Sequence, residues 1–174
     1  YSSSAASDVY KRQILTILDD MMETMYHANG IGLAATQIAI DKRLIVMDCG
    51  KTKYETQNDS EEEYNEKIKD EQFEPFPIKM INPEIISLGK NLEEREEGCL
   101  SIPGYNAKIK RPSSLKVKYT DENKKDNIID AEGLLATCIQ HEIDHLNGIL
   151  FIDHLSKLKR EIILKKAIKE YSKN

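Results

Sequence analysis

A chain of 174 residues with 40% hydrophobic content is long enough for one domain with its own core, and a net charge of -5 gives no reason to expect general affinity for nucleic acid. Three cysteines without regular spacing argue against a disulfide framework and for a reducing compartment. No apolar run approaches the length of a membrane span, and no secretory signal is visible.

Residues 1–13 open the chain with a low-complexity stretch followed by Asp8-Val9-Tyr10-Lys11-Arg12-Gln13, which resembles the translation of an adapter used in preparing sequencing libraries. They are expected to be a non-native leader and are set aside from the fold; a genuine leader or an organelle transit peptide is the alternative that the serine content permits. Residues 14–27 carry Ile14, Ile17, Leu18, Met21, Met22 and Met25 at helical spacing, which predicts an amphipathic helix closed by Asn29-Gly30, its methionine stripe in the core. In the segment Asn29-Gly30-Ile31-Gly32-Leu33-Ala34-Ala35-Thr36-Gln37, flexible glycines and small residues let the backbone pass close to another group and leave one amide side chain, Gln37, near the end. Alone, it reads first as a tight turn packed under a helix.

Strands are predicted at residues 43–47 and 78–82, at the alternating Leu115, Val117 and Tyr119, and near Ile128. Between the first two, an acidic insertion at about 51–75 lacks apolar periodicity and is expected to be solvated; residues 51–74 hold nine acidic side chains against four basic ones. A second helix is predicted over residues 130–148, where Leu134, Leu135, Cys138, Ile139 and Leu146 recur between a capping-type Asp130 and an Asn147-Gly148 stop. The C-terminal residues 155–174 hold seven basic against two acidic residues, with Leu158, Ile162, Ile163, Ala167 and Ile168 predicted as the docking stripe of a last helix. The fold class is therefore α+β, with strands packed around a central helix and a helix at the C-terminus.

The predicted second helix contains His141-Glu142-Ile143-Asp144-His145. Histidines four residues apart project from one helix face and can grip one metal ion, while Glu142, about 100° further round, can reach a water without ligating. The helix is apolar, so these polar groups need partners, and a cation satisfies all three. Hydrogen-bonded core histidines are the plainer alternative. A third ligand is open at this point: Phe151 stands where the long zincin pattern continues with its third His, His154 has a different spacing, and His27 belongs to the first helix. Cys99, in Glu97-Gly98-Cys99-Leu100-Ser101-Ile102-Pro103-Gly104, lies in a glycine- and proline-punctuated stretch able to present a thiolate, although an isolated Cys is more often a small buried hydrophobe.

Taken in order, GIGLAATQ, EGCLS and QHEIDH closely resemble the three signature motifs of the peptide deformylases. The resemblance runs from about Ile14 to the C-terminus and includes LFIDHLSKLKR after the second helix; Thr36 stands where many members carry Pro. It implies a single catalytic domain over residues 14–174 that removes the formyl group from the N-terminal formyl-methionine of nascent polypeptides, releasing formate. It further implies Cys99, His141 and His145 as metal ligands, Glu142 as acid/base, and Gln37 with the Leu100 backbone N–H as oxyanion donors. Gly30, Ile31, Gly32, Leu134 and Cys138 are expected to line the slot for the first side chain. The cofactor expected is one divalent ion, Fe(II) in cells, with zinc, nickel or cobalt accepted. The C-terminal helix is expected to meet the ribosome, and a bacterial cytoplasmic location is preferred over an organelle form. An HExxH peptidase and a metal-stabilised binding protein are the competing classes, weakened by Phe151 and by the lack of an obvious fourth protein ligand respectively.

Overall fold

The computed structural model describes residues 3–50 and 74–172. In order these form α1 (Ser3–His27), β1 (Gly32–Ala34), a 3-10 turn (Ala35–Ile38), β2 (Leu44–Asp48), β3 (Pro77–Leu88), β4 (Leu92–Cys99), β5 (Ile102–Pro112), β6 (Ser114–Thr120), β7 (Asp126–Glu132), α2 (Gly133–Leu146), a second 3-10 turn (Phe151–His154) and α3 (Lys157–Tyr171). The expected acidic insertion falls almost wholly outside the described residues, with β2 before it and β3 after it.

Five strands make an antiparallel sheet in the order β1-β2-β3-β6-β7, and β4 pairs with β5 in a separate hairpin. β2 is apolar on both faces because both are covered. Leu44 and Val46 join Leu18, Met21 and Met25 of α1, whereas Ile45 and Met47 join Ala136, Cys138, Ile139 and Ile143 of α2. This period-two split puts the sheet between the two helices and buries a continuous Leu-Ile-Val-Met run. A third cluster seats Phe151 and Ile152 of the second turn on Ile102 and Ile109 of β5.

Both predicted helix stops are real, and their hydrogen bonds show why. The Gly30 N–H bonds the Met25 carbonyl at 2.9 Å and the Asn29 N–H bonds that of Tyr26 at 3.0 Å, with Asn29 itself in the left-handed conformation at φ 54. After α2, Ile149 bonds back to Asp144 at 2.9 Å and Gly148 to His145 at 3.1 Å, Gly148 taking φ 75. Each pair satisfies carbonyls that the helix end leaves open.

Three expectations change. α2 starts at Gly133 and not at Asp130, because the backbone from Asp126 to Glu132 is committed to the ladder with β6, where Asp130 sits opposite Lys116. Gly133, at φ 56, then turns the chain into the helix. The β4–β5 hairpin was not expected at all. Finally, α3 docks through Ile163, Leu164 and Ala167, while Leu158, Ile162 and Ile168 of the expected stripe are 70%, 45% and 64% exposed. Leu155, immediately before the helix, joins the same contact cluster and so sets the rotation at which α3 meets it. α1 is helical from Ser3, within the stretch expected to be a leader.

Candidate metal centre

The α2 face that turns toward β4 carries His141 and His145, whose Nε2 atoms lie 3.2 Å apart with the rings edge to face. Cys99, the last residue of β4, places its Sγ 3.1 Å from His145 Nε2. One donor atom from each of the three lies within 4.8 Å of the others, and they form a group able to hold a metal ion among the described residues. Phe151 does not compete for this place: its ring stacks on that of His141 at a centroid distance of 6.3 Å and belongs to the core beneath. His154 is outside the group, its Nε2 2.8 Å from Asp144 Oδ2.

The donors are tuned by their surroundings. Burial works to raise the Cys99 pKa but is outweighed by hydrogen bonds from His141 and His145, which bring it down to about 5. His141 runs the opposite way: burial would lower it, yet the contacts with Cys99 and Glu97 push it up to about 10. Without a metal the cluster is thus a thiolate against an imidazolium; a divalent ion would displace the imidazolium proton and meet one thiolate and two imidazole nitrogens, a donor set that fits a transition metal.

Glu142 shares the helix but points elsewhere. It is buried, its Oε2 has no hydrogen-bond partner among the described residues, and burial raises its pKa to about 7 against the pull of His141 and His145. An orphaned buried carboxylate beside three convergent donors is a group waiting for a water or a substrate, so the residues fit a cation with an open position. Gly32 makes the room: a Cβ there would come 2.3 Å from Glu142 Oε1 and 2.8 Å from Cys138 Sγ.

The other expected residues gather around this point. Gln37 is oriented by accepting the Ala34 N–H on its Oε1 at 2.8 Å, and its Nε2 reaches Ser101 Oγ at 3.0 Å and Cys99 Sγ at 3.5 Å. Leu100 covers the loop, its Cδ1 3.0 Å from the place of a Cβ on Gly30. The Ile31 carbonyl accepts a weak hydrogen bond from Cys138 Sγ at 3.6 Å, and Leu134 stands half-exposed one turn earlier on α2. Thr36 Oγ1 bonds the His145 carbonyl at 3.1 Å, tying the same loop to the helix.

Sequence reasoning did not single out the groups behind the ligands. Glu97 Oε2 lies 2.9 Å from His141 Nδ1, and Arg111 grips Glu97 twice, at 2.6 and 3.0 Å. Arg111 also bonds Asp144 at 2.8 Å, and Asp144 accepts from His154. Such a partner on Nδ1 leaves Nε2 of His141 directed at the other donors. Position 97 is within the second motif, but nothing local marks Arg111, which meets its partners only across the fold.

A thiolate and two imidazoles beside an unpaired buried carboxylate, held on a mixed antiparallel fold with three helices, are the features of a metallohydrolase. The sequence model of the polypeptide deformylase family matches residues 2–161, and the chain belongs to that family. It is 51% identical over 156 residues to the peptide deformylase of Bradyrhizobium diazoefficiens, covering 88% of this chain and 80% of that one. The Agrobacterium fabrum enzyme is 46% identical, covering 90% of this chain and 81% of its own. The crystal structure of Ehrlichia chaffeensis peptide deformylase in complex with actinonin superposes with a TM-score of 0.75 at 39% identity, covering 91% of this chain and 83% of that one.

Proposed function

We propose that this chain removes the formyl group from the N-terminal formyl-methionine of nascent polypeptides and releases formate, with Cys99, His141 and His145 of a single catalytic domain holding one divalent ion. The observation that carries this is the convergence of the three donors within 4.8 Å beside the unpaired, buried Glu142. A divalent cation bound there supplies positive charge that acidifies a water and polarises the formyl carbonyl. Family resemblance favours Fe(II) in cells, with zinc, nickel or cobalt as substitutes.

Glu142 takes the proton of the attacking water and returns it to the leaving amine; its pKa of about 7 suits a group that must both accept and give a proton near neutrality. The Gln37 amide, already aimed at Cys99, and the Leu100 backbone N–H act as donors to the developing oxyanion, each worth roughly 3–4 kcal/mol on the scale of such deletions. Gly30, Ile31, Gly32, Leu134 and Cys138 line a slot for the methionine side chain. An unbranched thioether fits between a glycine loop and a helix face and gains about 0.8 kcal/mol per buried methylene.

The lysines of α3 stand on its exposed side, since the buried side is taken by Ile163, Leu164 and Ala167. That basic surface is the part of the molecule suited to the ribosome, and a bacterial cytoplasm is where this substrate arises. The deciding assay is formate release from formyl-Met-Ala-Ser by enzyme loaded anaerobically with iron or nickel, run beside casein cleavage. Formate without casein hydrolysis is expected; casein hydrolysis without formate would replace this reading with a peptidase.

A further inference from the structure

His154 is outside the donor set, yet an unbroken chain of side chains joins it to that set. Its Nε2 donates to Asp144 Oδ2 at 2.8 Å, and the same oxygen accepts Arg111 Nη1 at 2.8 Å. The other two arms of Arg111, Nε and Nη2, hold Glu97 at 2.6 and 3.0 Å, and Glu97 Oε2 meets His141 Nδ1 at 2.9 Å. The chain thus runs from the last residue of the second 3-10 turn to a ligand on α2.

An exposed ion pair usually holds little, because water competes for both charges and two long side chains lose freedom. Two features set this one apart. The His154 side chain is 36% exposed, but Asp144 is 18%, Arg111 6% and Glu97 4%, so everything beyond the first link is shielded from water. His154 is also delivered by a stiff turn. Phe151 and Ile152 are buried beneath it, Asp153 accepts the Leu150 N–H at 2.8 Å, and the Leu155 N–H bonds the Ile152 carbonyl at 3.1 Å. Asp153 in turn pairs with Arg160 of α3 at 2.8 Å. A donor whose backbone is already fixed loses little further freedom in making its hydrogen bond.

From this geometry we propose that His154 is a positioning residue for the metal centre: by holding Asp144 it fixes one arm of Arg111 and, through Arg111 and Glu97, the ring of His141. The inference rests on the reading of Cys99, His141 and His145 as ligands. Asp144 released from His154 can turn toward water, and Arg111 then keeps only its contacts with Glu97, so the two can pivot as a unit. Glu97 carries that pivot to His141, whose Nε2 must stay directed at the ion. The N–H and not the charge is what counts, since imidazolium and the neutral tautomer protonated on Nε2 both donate there. The turn also touches His141 directly, through the Phe151 ring at 6.3 Å, so a change at position 154 has a second way to reach the ligand.

A metal-release experiment separates the two routes. Nickel-loaded enzyme is mixed with excess chromogenic chelator, and release is followed for the wild type, His154→Ala, His154→Gln, Glu97→Gln and the His154→Ala/Glu97→Gln double variant. His154→Ala should release nickel about 3–10-fold faster, less than the loss of a direct partner of a ligand. His154→Gln, which restores an N–H near the same place, should return most of the way to the wild-type rate. On the Glu97→Gln background His154→Ala should add nothing, because members of one network are not additive. A wild-type rate for His154→Ala would overturn the proposal, and so would a Gln variant that behaves as Ala. An equal increase on both backgrounds would send the effect through Phe151 and overturn the chain. In metal-free protein carrying isotope-labelled histidine, the His141 Nδ1–H resonance should move in His154→Ala, and an unmoved resonance would also overturn it. A moved resonance in a protein whose wild type takes up no nickel would count against the ligand reading alone.

Discussion

Glu97 Oε2 sits 2.9 Å from His141 Nδ1 while Arg111 holds the same carboxylate from the other side, so a metal-ligand histidine is aimed by a buried ion pair. Glu97→Gln removes the charge that fixes the ring and that offsets Arg111. Metal affinity should fall about 10–100-fold, the usual cost of losing such a partner. A competitive chelator titration reads it, and unchanged affinity would make Glu97 purely structural.

Replacement of Glu142 by Gln keeps the shape and removes the proton acceptor. Turnover should fall about 10²–10⁴-fold with stoichiometric metal retained. If the ion were lost with the charge, Glu142 would be a ligand and the proposed division of roles would be wrong.

Gly32→Ala probes the room beside that carboxylate. A Cβ would stand 2.3 Å from Glu142 Oε1 and 2.8 Å from Cys138 Sγ, so both side chains must shift. Overpacking should cost about 1–3 kcal/mol in urea unfolding, and turnover should drop more than the metal content does. Wild-type kcat would mean that Glu142 has freedom the packing denies it.

Cys99 gives a pH signature. Its pKa is brought from 9.0 to about 5, and His141 stays charged up to about 10, so in metal-free protein the thiolate persists across the neutral range. A depressed acid is deprotonated above its folded pKa, so the ionic contact is present at neutral pH and lost as the pH falls through about 5. Alkylation of the 96–108 peptide should stay level down to about that pH, where an ordinary thiol slows about tenfold for each unit below its pKa. Loaded metal should block the reaction, and Cys99→Ser should abolish metal binding while Cys49→Ser does not. A rate that climbs steeply toward pH 9.0 would show that the thiol is not paired.

Substrate preference tests the slot between Cys138, Leu134 and the Gly30–Gly32 loop. Comparing kcat/KM for formyl-Met, formyl-norleucine and formyl-Ala tripeptides should put norleucine near Met and Ala at least about tenfold lower, since two or three methylenes are worth roughly 2 kcal/mol. Equal values for Met and Ala would move the pocket elsewhere.

What the sequence by itself determined is local. The two histidines of α2 share a face because they are four residues apart, Asn29 and Gly148 end their helices because each can take a left-handed turn, and the Leu44–Met47 run is apolar throughout because both sides of β2 are covered. The three motifs also carry the family, which composition alone could not. Tertiary structure decided what local pattern conceals. The β4–β5 hairpin is invisible to hydrophobic alternation because β4 turns Glu97 and Cys99 inward, where an ordinary strand would carry Val or Leu; their burial is offset by Arg111, His141 and His145 from distant parts of the chain. The start of α2 was set by a ladder with β6 that its own residues do not announce, and the docking side of α3 by Leu155 and the turn before it. In each case the deciding partner lies far along the chain or outside the element, where no short-range periodicity reaches.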